Sequence, residues 1–251
     1  SFNGAFYGKI GRVHTRAFLL NEETSEWEPK GVIMEGGFWP LQEPIRMDDG
    51  NWIMAGISVG GGYGGPHNPA AVAISHGHDF AKWDVVIIPK PKNLQIWGES
   101  TVIVDGAKVL NIARWGSPFA LAASSLDYGR TWTESRRSNL PMTGSKPYAG
   151  TLSTGCRYLI CTTTADSHNR RSPLTIAIGR PGEEFFSRVY RIRDAVHHGP
   201  GESNADCRLS YPYAVERDGK LYVIYSNCGG RGGNQNSAEL AIIPLGSLQS
   251  E

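Results

Sequence analysis

Four segments of this sequence share one plan: a strand-like run, a two-residue turn and a second apolar run. They are QEPIRMDDGNWIMAGI from Gln42, GESTVIVDGAKVLNIAR from Gly98, YAGTLSTGCRYLICTTT from Tyr148 and YPYAVERDGKLYVIYS from Tyr211. The turns are Asp49-Gly50, Asp105-Gly106, Thr154-Gly155 and Asp218-Gly219. Asp-Gly between such runs is a strong hairpin signal, because the tight primed turn needs positive φ and glycine adopts it without a Cβ clash. Each hairpin is followed by another apolar segment: AAVAIS from Ala70, ALAASS from Ala120, LTIAIG from Leu174 and AELAII from Ala238. After the first three comes a further segment that reads as an edge strand, such as KWDVVII from Lys82. The turn glycines at 50, 106, 155 and 219 give steps of 56, 49 and 64 residues. A repeat of about 50 residues built from three or four strands reads as propeller blades, not as a solenoid.

The fold class is therefore all-β, a β-propeller of four full blades. TRAFLLNEETSEWEPKG, from Thr15, reads as the outer strands of a partial fifth. Residues 1–251 then form one propeller domain, read either as a truncated six-bladed ring lacking its first blade or blades, or as a five-bladed ring closed by pairing its termini. A β-sandwich has as many strands but does not explain the shared order of segments. Gly 31, Pro 15 and seven tryptophans fit many turns and a β-rich core. With 25 basic and 24 acidic residues the net charge is +1, which favours neither nucleic acid nor an anionic membrane as partner. No run approaches the ~18 apolar residues of a membrane helix, and no signal segment opens the chain. A secreted protein that has lost its leader would look the same, and a secreted or periplasmic location is the leading expectation.

Cys156 and Cys161 lie five residues apart on one expected strand, too far to bond at ~3.3 Å per residue. Cys207 and Cys228 flank an expected hairpin, where either a disulfide or two free thiols fits.

SSLDYGRTW holds Ser125, Asp127, Gly129, Thr131 and Trp132 in the spacing S-x-D-x-G-x-T-W. The serine and aspartate side chains can cap amides of a tight turn, the glycine permits positive φ, and the tryptophan packs beneath. This motif resembles the Asp-box of the sialidase (neuraminidase) superfamily, whose BNR repeats build β-propellers. HGHDFAKW, from His76, is a degraded copy. The resemblance covers roughly residues 40–248 and implies a site where the inner strands begin. Glu43, Glu99, Tyr148 and Tyr211 open those strands, with Lys146 close by.

Residue by residue, Glu99 matches the glutamate that opens the blade carrying the family's catalytic base. Arg114 matches one arginine of the carboxylate-binding triad, and Arg171 a second, with Arg170 the alternative. Tyr211 resembles the nucleophilic tyrosine; Tyr213, on the same face at period two, is the alternative register. Pro212 departs from the small polar residue more often found there. The first triad arginine and the aspartate acid/base have no counterpart among residues 1–40, where Arg12 and Arg16 fall on expected outer strands. Either those elements belong to another segment or the chemistry differs. His67, in the glycine-rich loop GGGYGGPHN, is the local candidate for a proton donor; Asp166 and His168 lie in a loop between strands. That glycine run lacks the lysine and the strand–helix context of a phosphate loop.

The implied chemistry is coherent. A sialic acid carries its carboxylate on the anomeric carbon, so a neutral phenol avoids the repulsion a carboxylate nucleophile would meet. A phenol with an ordinary pKa of about 10 needs a base to take its proton. Glycosidases usually pair two carboxylates, and sialidases with a tyrosine nucleophile are an exception. Guanidinium forks bind a carboxylate through paired charge-assisted hydrogen bonds. The expectation is a retaining, metal-free exo-sialidase with catalytic Tyr211 and Glu99, and with Arg114, Arg171, Glu43, His67 and Tyr148 holding the glycan. No ligand spacing for a metal is present and no cofactor is implied. Two alternatives stand: hydrolysis or elimination on a uronate- or rhamnose-type glycan with His67 involved, and a carbohydrate-binding propeller without turnover.

Overall fold

The computed structural model describes residues 13–60, 68–116, 118–163, 170–199, 201–229 and 236–249. The chain divides into two compact units, one of residues 1–113 and 122–136 and the other of residues 114–121 and 137–251.

In the first unit, β1 (Thr15–Asn21) and β2 (Glu26–Met34) form a two-stranded sheet. A second sheet pairs β3 (Phe38–Pro40) and β4 (Ile45–Arg46) with β5 (Trp52–Ser58), followed by β6 (Ala70–His76) and β7 (Asp79–Ile87). β8 (Ser100–Asp105) and β9 (Lys108–Ala113) form the next hairpin. They continue into the sheet ordered β11-β10-β9-β8, where β10 is Phe119–Ser125 and β11 is Arg136–Pro141. In the second unit, β12 (Tyr148–Thr151), β13 (Arg157–Cys161), β14 (Leu174–Gly179) and β15 (Arg188–Arg193) pair in sequence order. So do β16 (Arg208–Arg217), β17 (Lys220–Cys228) and β18 (Asn236–Pro244), closed by one 3-10 turn at Leu245–Leu248. This is the blade plan of a β-propeller: four blades, with β1 and β2 as a partial fifth. The first three blades have the expected edge strands, β7, β11 and β15.

All four expected turns lie between hairpin strands, and Gly50, Gly106, Gly155 and Gly219 all have positive φ. Only Asp218-Gly219 is the two-residue turn expected, with both residues at positive φ, 50° and 71°, the signature of a primed turn. Asp105 instead ends its ladder opposite Lys108, so that turn is Gly106-Ala107, and the hairpins at Gly50 and Gly155 close through five-residue loops, 47–51 and 152–156. A second expectation also needs correction. The first strand of its blade does not run unbroken from Gln42, because β3 and β4 pair with β5 on either side of a break at residues 41–44. Pro40 and Pro44 flank it, and neither donates to a ladder. Gln42 fills the gap by bonding both the amide and the carbonyl of Val102.

Middle strands of the earlier sheets are apolar runs buried on both faces, as in β6 and β14. β16 buries Leu209 and Ser210 in succession and alternates from there on, with Pro212 and Ala214 buried and Tyr211, Tyr213 and Val215 exposed. Its buried face joins Leu221, Val223 and Tyr225 against Tyr148, Ile160 and Ile176 in the core of the second unit.

The Asp-box turn works as its sequence implies. The Ser125 hydroxyl donates to Asp127 (2.7 Å) and accepts from the Gly129 amide (2.8 Å). Asp127 accepts from the Arg130 and Thr131 amides and the Thr131 hydroxyl. Trp132 closes the turn through its indole N–H on the Gly129 carbonyl, 2.7 Å. The degraded copy keeps that last bond, from Trp83 to the Phe80 carbonyl at 2.7 Å. Arg130 also pairs with Asp49 at 2.8 Å, tying the Asp-box to the first hairpin turn.

Burial alone would raise the Asp127 pKa, but hydrogen bonds from Thr131, Ser125 and Arg130 outweigh it and bring the carboxyl down to about 2. A depressed folded-state pKa stabilises above the ordinary carboxylate range, and that contribution is lost as pH falls toward 2. Asp127→Ala is therefore expected to cost about 1 kcal/mol in urea unfolding at neutral pH. The gap to wild type should narrow on acidification from about pH 4 to pH 2.

Candidate functional site

Arg114 follows the last residue of β9, and Arg170 and Arg171 precede β14. With Gly144, Asp206, Cys207 and Arg208 they line one pocket of about 400 Å3 in the second unit. Four guanidinium groups thus face one carboxylate, an excess of positive charge suited to an anionic ligand. The Arg171 segment is fixed to β16 by a bond from the Leu209 amide to the Arg171 carbonyl, 2.8 Å. Its Nη2 donates to the Gly144 carbonyl at 3.3 Å. Its guanidinium carbon lies 5.6 Å from the centroid of the Tyr211 ring, within cation–π range.

Tyr211 owes its position to a register break. Ser210 pairs with Ser226 and Tyr213 with Ile224, so Tyr211 and Pro212 together oppose Tyr225 alone. This is a β-bulge, a device that re-aims side chains. Tyr211 has φ of 55°, a left-handed conformation unusual for a bulky residue, and is 43 % exposed. β16 begins at Arg208, so Tyr211 is its fourth residue and not, as expected, the one that opens it.

Of the other expected site residues, Tyr148 opens β12 as foreseen but is fully buried. Its hydroxyl donates to the Ala214 carbonyl at 3.0 Å, so it meets the core and not solvent. Glu99 immediately precedes β8 in the first unit and is 3 % exposed. Glu43 is exposed in the break between β3 and β4. Arg16 lies on β1. His67, Arg12, Asp166 and His168 lie outside the described residues. Cys156, Cys161, Cys207 and Cys228 are all free thiols. Among the described residues, no His, Cys, Asp or Glu cluster could hold a metal, and no helix is long and apolar enough to cross a membrane.

Sequence reasoning missed Arg208 and Asp206. The signal was present in ADCRLSYPY, but it was obscured by starting the strand three residues late.

A polar network supports that side of the pocket. Arg193 donates to Glu239 (3.2 Å), the Gly201 carbonyl (2.8 Å) and Ser203 (3.2 Å). Glu239 also accepts from Tyr225 (2.8 Å) and Asn227 (2.5 Å). Burial and the Glu239 carboxylate push the Tyr225 hydroxyl pKa up. Cys207, whose thiol burial likewise pushes up, donates to the Ala195 carbonyl at 3.3 Å.

The sequence profile of the BNR repeat-like domain family matches residues 8–223. The chain belongs to this family. No curated protein matches it. Among solved structures, this BNR propeller is similar to the NanB sialidase of Streptococcus pneumoniae, with 13% identity and a TM-score of 0.64 over 90% of this chain and 35% of that one. It is similar to the leech intramolecular trans-sialidase complexed with 2,7-anhydro-Neu5Ac, at 15% identity and a TM-score of 0.61, covering 88% and 34%. A protein of unknown function from Dyadobacter fermentans is similar at 16% identity and a TM-score of 0.61, covering 88% and 55%. The chain thus spans a third to just over half of these structures. At such identities the likeness is one of fold, the sialidase-type propeller.

The network yields a prediction for the BNR propeller. Glu239→Ala leaves Arg193, only 11% exposed, without its carboxylate and orphans the Tyr225 and Asn227 donors. A loss of about 3 kcal/mol is expected in equilibrium unfolding, and adding Arg193→Met should restore part of it.

Proposed function

We propose that this BNR propeller is a sialidase-like exo-glycosidase that removes a terminal sialic acid or related acidic sugar with retention. The observation that carries the reading is the convergence of Arg114, Arg170, Arg171 and Arg208 on one pocket, with the exposed Tyr211 ring beside Arg171. Paired guanidinium forks hold the sugar carboxylate, and the neutral phenol attacks the carbon bearing it. The Tyr211 oxygen bonds to the anomeric carbon as the bond to the leaving oxygen breaks. Glu99 is the carboxylate assigned to take the phenol proton. The leaving oxygen takes a proton from an acid, for which His67 is the candidate. Water then hydrolyses the tyrosyl glycoside with the same inversion, restoring the phenol and giving net retention.

A panel of fluorogenic sialosides and uronides tests this. Release from a sialoside is expected. Tyr211→Phe should abolish it while sparing binding, and Glu99→Gln should lower kcat. Arg171→Lys should raise KM about tenfold, the equivalent of one charge-assisted hydrogen bond. An unsaturated product from a uronide would instead favour elimination, and binding without turnover a carbohydrate-binding role.

A further inference from the structure

Lys146 is only 6% exposed, and burying an ammonium is costly unless it is well partnered. Its Nζ donates to the Pro212 carbonyl at 3.3 Å and lies 5.4 and 5.3 Å from the ring centroids of Tyr148 and Tyr213. Tyr148 and Tyr213 are themselves in ring contact, with centroids 4.5 Å apart and planes tilted by 36°. The Tyr148 hydroxyl donates to the carbonyl of Ala214. Apart from the approach of Lys146 to Tyr148, these contacts fall on the three residues that follow Tyr211: Pro212, Tyr213 and Ala214.

That stretch includes the point where β16 departs from its ladder. Pro212 has no amide to give, and its carbonyl takes the lysine instead. Tyr211, just before it, holds a left-handed φ of 55°. A non-glycine residue in that region is strained and persists only where its surroundings impose it. The lysine on Pro212 and the tyrosine on Ala214 are such surroundings. Were the bulge to relax, Tyr211 would lose its left-handed φ and its ring would be re-aimed away from Arg171.

We propose that Lys146 and Tyr148 are positioning residues, which clamp the Pro212–Ala214 backbone and so hold Tyr211 beside Arg171. The assignment rests on Tyr211 being the reacting group. Neither residue touches the sugar; both act through the shape of the bulge.

The test uses Lys146→Met and Tyr148→Phe in the full chain, with Asp127→Ala as a control for a modest stability loss elsewhere. Two readouts are taken: kcat and KM on the fluorogenic sialoside, and the 13Cα and 13Cβ shifts of Tyr211, which report its φ directly. Each variant is expected to lose about 10- to 100-fold in kcat at nearly unchanged KM, the effect of a small misplacement of a reacting group. Its Tyr211 shifts should leave the left-handed range, while Asp127→Ala changes neither readout. Variants that keep both kcat and the Tyr211 shifts overturn the inference, and so does a loss of kcat equalled by the control. Wild type without turnover would count against the nucleophile reading alone, since the shifts still decide whether the clamp sets Tyr211. If Lys146→Met does not fold, Tyr148→Phe carries the same comparison.

Discussion

Register is the constraint on which this chain depends, and it is set at four short hairpin turns, two of two residues and two of five. A strand buried on both faces tolerates no slip, because moving by one residue exchanges every side chain between faces. β14 has no exposed residue, and β6 exposes only His76 at its end. Glycines with positive φ at 50, 106, 155 and 219 reverse the chain, and at Gly106 and Gly219 they do so in two residues, which pins the pairing of those hairpins. The Asp-box fixes a later step, the passage from β10 toward β11, through hydrogen bonds internal to the turn. These devices carry no chemistry, but they decide where each functional side chain emerges.

The site itself departs from that regularity. The ladder between β16 and β17 breaks at the tyrosine. Strain of this kind is tolerated where neighbours over-determine the backbone. Here a buried ammonium, a tyrosine hydroxyl and a tyrosine ring meet three consecutive residues. The arginines need no such strain. Arg114, Arg171 and Arg208 sit at or next to strand ends, where loop backbone lets long side chains turn into a common pocket.

The hairpins and blade plan were legible in the sequence because turn chemistry and alternation are local. Arg114, Arg171 and Tyr211 were singled out through resemblance to the sialidase pattern, and the structure brings the two arginines to one pocket with the Tyr211 ring near Arg171. What stayed hidden depends on partners distant in sequence. Nothing in YAGT announces that Tyr148 is fully buried, since its burial comes with packing on Tyr213 and bonding Ala214. Arg208 was hidden because the bulge that begins three residues later, at Tyr211, breaks the alternation that would have counted it into the strand. The break between β3 and β4, which leaves Glu43 exposed, follows from prolines whose effect on a ladder depends on which edge they face.

The central claim, that Tyr211 attacks the anomeric carbon, is tested most directly by trapping the covalent intermediate. A sialosyl fluoride carrying a second fluorine beside the anomeric centre reacts through its good leaving group, while the electron-poor ring slows hydrolysis of the product. Mass spectrometry of the labelled chain should then show one added sugar, on a peptide containing Tyr211, and none on Tyr211→Phe. Turnover of sialosides without any adduct, or an adduct on Glu99, would contradict the account.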